Sequence, residues 1–168
     1  AWSSRRRGSH SQLSLSLYVQ RAEPMTRPRA ESDFLMALEI EPDHPFVLNY
    51  LGYTWVDRGE RLDEALGMIE RAVNQRPLDG FITDSLGWAY YQLDRFDEAV
   101  VQLERAVEYE PGDSVINDHL GDAYWRVGRR AEARFQWRRA MSLGADDQEL
   151  IDVIQTKLQS GLSDGNDI

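Results

Sequence analysis

The sequence of 168 residues contains no cysteine. That absence removes disulfides, thiol nucleophiles and thiolate metal sites together, and it leaves cytosol and periplasm equally open. No apolar run approaches the roughly 18 residues that a membrane-spanning helix needs. Positive charge is in deficit: 19 Lys and Arg stand against 29 Asp and Glu, a net charge of −10 and a pI near 4.7. General nucleic-acid binding is therefore not expected, because phosphate contacts require clustered cations. Histidine is sparse, with His10, His44 and His119 scattered over a tail, a turn and a helix. What remains is 42% hydrophobic, enough for a packed core, in a length that fits one domain or a short array.

Charge is unevenly spread. Residues 1–30 carry six arginines and a single acid, Glu23, so the remainder is strongly acidic. Residues 1–12 are a Ser/Arg run without helical pattern, read as a cloning-derived or disordered tail. A first residue of Ala rather than Met reads as a segment of a longer protein, whose signal or anchor sequence lies elsewhere.

Self-similarity dominates the rest. Leu51-Gly52, Leu86-Gly87 and Leu120-Gly121 recur at spacings of 35 and 34 residues. An aromatic follows each glycine by three positions (Trp55, Tyr90, Tyr124). Two alanines come next, seven residues apart: Ala65 and Ala72, Ala99 and Ala106, Ala133 and Ala140. Pro77 and Pro111 close the first two units, and Leu143-Gly144-Ala145 stands in the third. The extra residue of the first unit falls in the Gly59-Glu60-Arg61 turn, where insertion is tolerated.

Leu48, Leu51, Gly52 and Trp55 lie at i, i+3, i+4 and i+7, one face of a helix. Each glycine marks a place where a neighbouring helix approaches too closely for a Cβ. Ala65 and Ala72 serve the same approach from the second helix. Asp79 and Asp113 are candidate N-caps, and Pro77 and Pro111 end the preceding helices. Each unit is thus a helical hairpin that buries its apolar face only by stacking on a neighbour.

These positions resemble the tetratricopeptide repeat, with its L-G-x₂-Y, alanine pair and closing proline. The family's tryptophan, three residues before Leu-Gly, is replaced here by Leu48, Thr83 and Asn117. The resemblance implies an all-α fold, a right-handed α-α superhelix of three full repeats. The expected units are 45–79, 80–113 and 114–146, preceded by a degenerate half repeat over 13–44. In that half repeat Ala30, Phe34, Ala37 and Pro42 match the second helix. A capping helix over 147–160 presents Leu150, Ile151, Ile154 and Leu158 to the last repeat, and 161–168 reads as a loose tail. Leu13–Gln20 alternates apolar and polar residues like a strand. It reads as a poorly formed first helix, or as a segment that docks on a second copy.

In such a superhelix the first helices line the concave side. From Asn49, Tyr53 and Val56 fall within roughly 40° at about 100° per residue, well away from the Leu51/Trp55 face. Phe46 and Asp57 flank this direction. The corresponding positions are Phe81, Asp84, Trp88, Tyr91 and Gln92, then Val115, Asp118, Asp122, Trp125 and Arg126. A groove of aromatic rings with acidic punctuation is expected. Its partner is a protein or peptide segment with apolar anchors and basic flanks, since large amphipathic rings concentrate at binding hot spots. First helices also pack on one another, so Tyr91 and Trp125 are candidates for the core as well. The family's carboxylate clamp uses Lys, Arg and Asn. Asn49, Tyr53, Ser85, Val115 and His119 stand in those places, which disfavours that mode. Arg130, Arg134 and Arg138 form a stripe at i+4 steps, either a secondary basic contact for an acidic partner or a solvated convex face.

Catalytic chemistry finds no purchase. No nucleophile, base and orienting group are spaced for a triad, and no phosphate-cradling glycine loop occurs. His119 with Asp118 and Asp122 is too thin a donor set for a metal. Neither cofactor nor metal is expected. Three readings follow: a protein-interaction scaffold, a self-assembling structural repeat protein forming a homo-oligomer, or the adaptor part of a larger bacterial enzyme or protease complex. The W-R-x-G-R turns resemble repeat proteins of the bacterial cytoplasm or envelope.

Overall fold

The computed structural model describes residues 27–163. Among the described residues there are eight helices and no strand. They are α1 (Arg27–Ile40), α2 (Pro45–Asp57), α3 (Leu62–Gln75), α4 (Gly80–Gln92), α5 (Phe96–Tyr109), α6 (Ser114–Arg126), α7 (Arg130–Leu143) and α8 (Gln148–Ser160). Leu13–Gln20, with its choice between helix and strand, lies outside the described residues, as do 1–12 and 164–168.

Helix starts follow from local chemistry. Asp79, Asp113 and Asp147 each accept a hydrogen bond from the backbone N–H three residues on, at 3.2, 2.9 and 3.0 Å. Each cap satisfies an amide that has no partner inside the helix, worth about 1 kcal/mol. At α2 the role passes to His44, whose Nδ1 accepts from Val47 N at 3.4 Å, with Pro45 in the first turn. Turns within the hairpins require left-handed backbone. Asp94 (φ 58°) and Gly128 (φ 83°) supply it singly, whereas the longer first turn uses both Gly59 (φ 66°) and Arg61 (φ 48°).

Three hairpins, α2/α3, α4/α5 and α6/α7, pack through the glycines that recur with the repeat period. A Cβ built on Gly52 would lie 2.8 Å from Ile69. At Gly87 it would meet Leu103 at 2.5 Å, and at Gly121 Trp137 at 2.4 Å. The facing alanines Ala65, Ala72, Ala99, Ala106, Ala133 and Ala140 are fully buried. Small residues on both helices therefore bring the axes together, and a larger second-helix side chain fills the space over each glycine.

Neighbouring units are joined by a repeated polar rung. Trp55 Nε1 donates to Glu31 (2.9 Å), Tyr90 Oη to Glu70 (3.5 Å) and Tyr124 Oη to Glu104 (2.8 Å). Each ring is covered by an arginine from the following turn, Arg61, Arg95 or Arg129, at 4.0–4.4 Å from the ring centroid. Those arginines also pair with Glu64, Glu98 and Glu132 one turn on.

The last helix takes the place of a fourth first helix. Leu150, Ile154 and Leu158 repeat Ile116, Leu120 and Tyr124 at 34 residues, Ile154 is fully buried, and Leu150 and Leu158 pack against the same core. The expectation of a loose tail from 161 needs correction at its start. Gly161 is buried against Trp125, Leu162 packs on the core, and Ser163 O accepts from Arg126 at 3.1 Å. No helix of the described residues is long and apolar enough to cross a membrane.

Candidate binding groove

The first helices α2, α4 and α6 place the expected groove residues in two different environments. On α2, Asn49 and Tyr53 are half-buried. On α4, Trp88 and Tyr91 are half-buried and Phe81 is 54% exposed. On α6, by contrast, Asp118, Asp122 and Trp125 are all buried, as is Asp84 on α4.

The cause at α6 is Lys157 of α8, the only lysine in the chain. Its ammonium donates to both oxygens of Asp118 (2.9 and 2.7 Å) and to Asp122 at 2.9 Å. Trp137 Nε1 donates to Asp122 at 2.8 Å from the second helix of the same hairpin. Burial works to discharge the Lys157 ammonium, but Asp122 and Asp118 outweigh it and hold its pKa above the ordinary lysine value. Burial, reinforced by Asp118, pushes the Asp122 carboxyl above the usual carboxylate range, against the pull of Lys157 and the Trp137 N–H. Asp118 and Asp122 therefore do not punctuate an open groove with negative charge. They are internal partners of the chain's own cation.

Asp84 is claimed in a related way. His119 Nδ1 lies 2.9 and 3.1 Å from its two oxygens, and both side chains are buried. Desolvation opposes the imidazolium, yet Asp84, followed by Asp118 and Asp122, raises the His119 pKa above its ordinary value. The imidazole stacks on Trp88 at 4.1 Å and 13°, and Trp88 stacks on Tyr91 at 4.6 Å and 6°. Arg126 Nε donates to Tyr91 Oη at 3.1 Å and its guanidinium lies over the ring. Burial raises the Tyr91 hydroxyl pKa against the hydrogen bond from Arg126. His119 and Lys157 thus complete a ladder that ties α4 to α6 and α6 to α8.

Trp125 is core rather than groove. It lies 5.2 Å from Trp137, abuts Gly161, and carries Arg130 at 3.9 Å and Arg134 at 5.3 Å from its ring centroid. This also corrects the arginine stripe. Arg130 and Arg134 cover Trp125, and Arg134 donates to the Leu158 carbonyl at 3.0 Å near the end of α8. Arg138 alone of the three is exposed without such a contact among the described residues.

On α2 and α4, Asn49, Tyr53, Trp88 and Tyr91 keep partial exposure. Burial raises the Tyr53 hydroxyl to about 12, with Asp84 and Asp57 adding to the rise. It is therefore a neutral donor across the physiological range. Ser85 Oγ donates to the Phe81 carbonyl at 3.1 Å, and His119 is held by Asp84. No group of His, Asp or Glu that could hold a metal occurs among the described residues.

Sequence reasoning missed Lys157 and the capping role of His44. The signal for Lys157 was present: a single lysine on an amphipathic helix, 35 and 39 residues after Asp122 and Asp118 of α6.

A family model described as tetratricopeptide repeat matches residues 84–113. Over 62 residues, 37% of this chain, the sequence is 42% identical to a TPR repeat-containing protein of Pseudomonas aeruginosa, and it covers 10% of that protein's length. Among solved structures, MamA AMB-1 is similar with a TM-score of 0.63 at 23% identity, over 82% of this chain and 80% of that one. The first TPR of Spaghetti (RPAP3), solved bound to the HSP90 peptide SRMEEVD, gives a TM-score of 0.60 at 20% identity, over 69% of this chain and 91% of that one. The fold is an all-α tetratricopeptide solenoid.

Proposed function

We propose that this tetratricopeptide-repeat chain is a protein-interaction scaffold that receives a segment of another protein on the concave face of α2 and α4. The observation that carries the reading is the contrast along one surface. The α6 portion is filled by the chain's own Lys157, whereas Asn49, Tyr53, Phe81, Trp88 and Tyr91 remain accessible to varying degrees. Stacked aromatic surface that still meets water is the kind of area that partner side chains bury with profit. Its ligand is a protein segment with apolar side chains and basic flanks, matching the rings and the net charge of −10.

The likeness to a tetratricopeptide domain solved with an HSP90 peptide supports peptide capture as a use of this fold. It does not extend to the same ligand, because Tyr53, Ser85, Val115 and His119 place no free cation where a peptide carboxylate would need one. The test compares pull-downs by the wild type, Tyr53→Arg in the groove and Arg105→Glu on an exposed second-helix position. Partners recovered by the wild type and Arg105→Glu but lost with Tyr53→Arg support the groove. Equal recovery by all three rejects it.

A further inference from the structure

Internal repetition allows one unit to be read against the next. In the first unit, Phe46 at the start of α2 is 47% exposed and carries the guanidinium of Arg76 at 4.7 Å from its ring centroid. Arg76 Nε also bonds the second oxygen of Asp79 at 3.2 Å, while the first oxygen caps α4. An aromatic face, an arginine and an N-cap carboxylate thus form one cluster at the rim of the groove.

In the second unit the aromatic and the carboxylate are both kept. Phe81 replaces Phe46 at the start of α4, and Asp113 replaces Asp79, with Oδ1 accepting from Ile116 N at 2.9 Å. The arginine is not kept: the position of Arg76 is Glu110. Its side chain lies over the start of α4, where a Cβ on Gly80 would come within 2.5 Å of Glu110 Cγ, one residue from Phe81. Arg139 donates to the Pro111 carbonyl between them at 3.0 Å, and no ion pair of Glu110 or Asp113 occurs among the described residues. The second unit therefore holds an exposed ring and two carboxylates around the place that a guanidinium fills in the first.

We infer that Phe81, Glu110 and Asp113 form a receptor for an arginine side chain of the bound partner, which sits over Phe81 as Arg76 sits over Phe46. This inference rests on the groove reading above and gives its basic flank a specific seat. Guanidinium suits the site better than ammonium. It is planar, stacks on a ring while donating in its own plane, and is more weakly hydrated. Two carboxylates supply acceptors for that plane.

The test uses a fluorescent, terminally blocked hexapeptide of alternating leucine and arginine, with lysine and citrulline counterparts, and reads affinity by anisotropy. The arginine peptide is expected to bind best and the neutral citrulline peptide worst. Glu110→Arg restores to the second unit the arginine of the first. It should weaken the arginine peptide by about tenfold while the protein's melting temperature holds or rises. Glu108→Arg, an equal charge change two residues away on an exposed position, should leave most of the affinity intact. Equal affinity of wild type and Glu110→Arg overturns the receptor, as does an equal loss with Glu108→Arg. The groove is read separately. If Tyr53→Arg abolishes binding and Glu110→Arg does not, the arginine seat is wrong and the groove stands. The reverse pattern keeps the seat and removes the groove.

Discussion

The two ends of this solenoid bury their first helices by different means. At the C-terminal end, α6 is covered by α8, with Ile154 in the core and Lys157 across Asp118 and Asp122. At the N-terminal end, α1 is the helix that flanks α2 among the described residues, and Leu35, Met36 and Ile40 of α1 are exposed along with Phe46 and Tyr50. The same repeat motif therefore gives a sealed, polar-locked face at one end and an accessible apolar one at the other. What separates them is not the motif residues but what the chain places opposite them. Which expected groove positions stay accessible among the described residues is thus decided by what packs opposite each unit.

The largest expected effect tests the sealed end. Lys157→Met removes the cation while leaving Asp118 and Asp122 buried side by side, which should cost about 3–5 kcal/mol, as for other broken buried pairs. Urea unfolding of the variant checks this, and adding Asp118→Asn and Asp122→Asn should return much of the loss. A Lys157→Met protein as stable as the wild type would mean that the ion cluster contributes little to closing the face.

Gly121→Ala comes next. Its Cβ would stand 2.4 Å from Cδ1 of a fully buried Trp137, whose indole is fixed by its bond to Asp122. Overpacking of this kind costs about 1–3 kcal/mol. Gly52→Ala faces the more pliable Ile69 at 2.8 Å and should cost less, a difference that thermal melts of the two variants would reveal.

The glycine, alanine and proline periods were legible in the sequence because they report contacts between adjacent helices, where one position determines its neighbour's size. Helical angle assigned Asn49, Tyr53, Trp88 and Tyr91 to the groove side, and all four are half-buried. Angle gives the direction of a side chain but not what stands across from it. Asp118 and Asp122 were expected in the groove, yet their environment is set by a lysine 39 and 35 residues on. His119 was hidden for the same reason, since Asp84 is 35 residues away. Trp125 went to the core because α8 and residues 161–163 cover it, and no periodicity reports such a covering. Unlike the rung of Trp55, Tyr90 and Tyr124, the pairs made by Lys157 and His119 do not recur from unit to unit, and they bury Asp84, Asp118 and Asp122 among the expected groove positions.

A smaller effect concerns the boundary between sealed and open faces, the Asp84–His119 pair. The His119 pKa is raised in the fold, so its charge contributes to stability fully below the unfolded value of about 6.5. That contribution disappears as pH rises through the higher folded value. Lys157 and Asp122 are also raised, and their contributions fall with rising pH in their own ranges. The stability gap between wild type and His119→Gln should therefore be larger at about pH 5.5 than at about pH 9. Denaturant melts at the two pH values check the sign, and a gap that widens at high pH would contradict a protonated His119.

The smallest expected effect is at Ile40, read against Ile154 at the other end. Ile154 on α8 is fully buried and Ile40 on α1 is 77% exposed. Ile154→Ala should cost about 2–4 kcal/mol through lost burial and the cavity left behind. Ile40→Ala should stay within about 0.5 kcal/mol, because its side chain gives up little contact on truncation. Parallel urea melts of the two variants measure the asymmetry directly. A cost at Ile40 approaching that at Ile154 would show that the α1 face is covered in solution, and the difference between a sealed and an open end would then be lost.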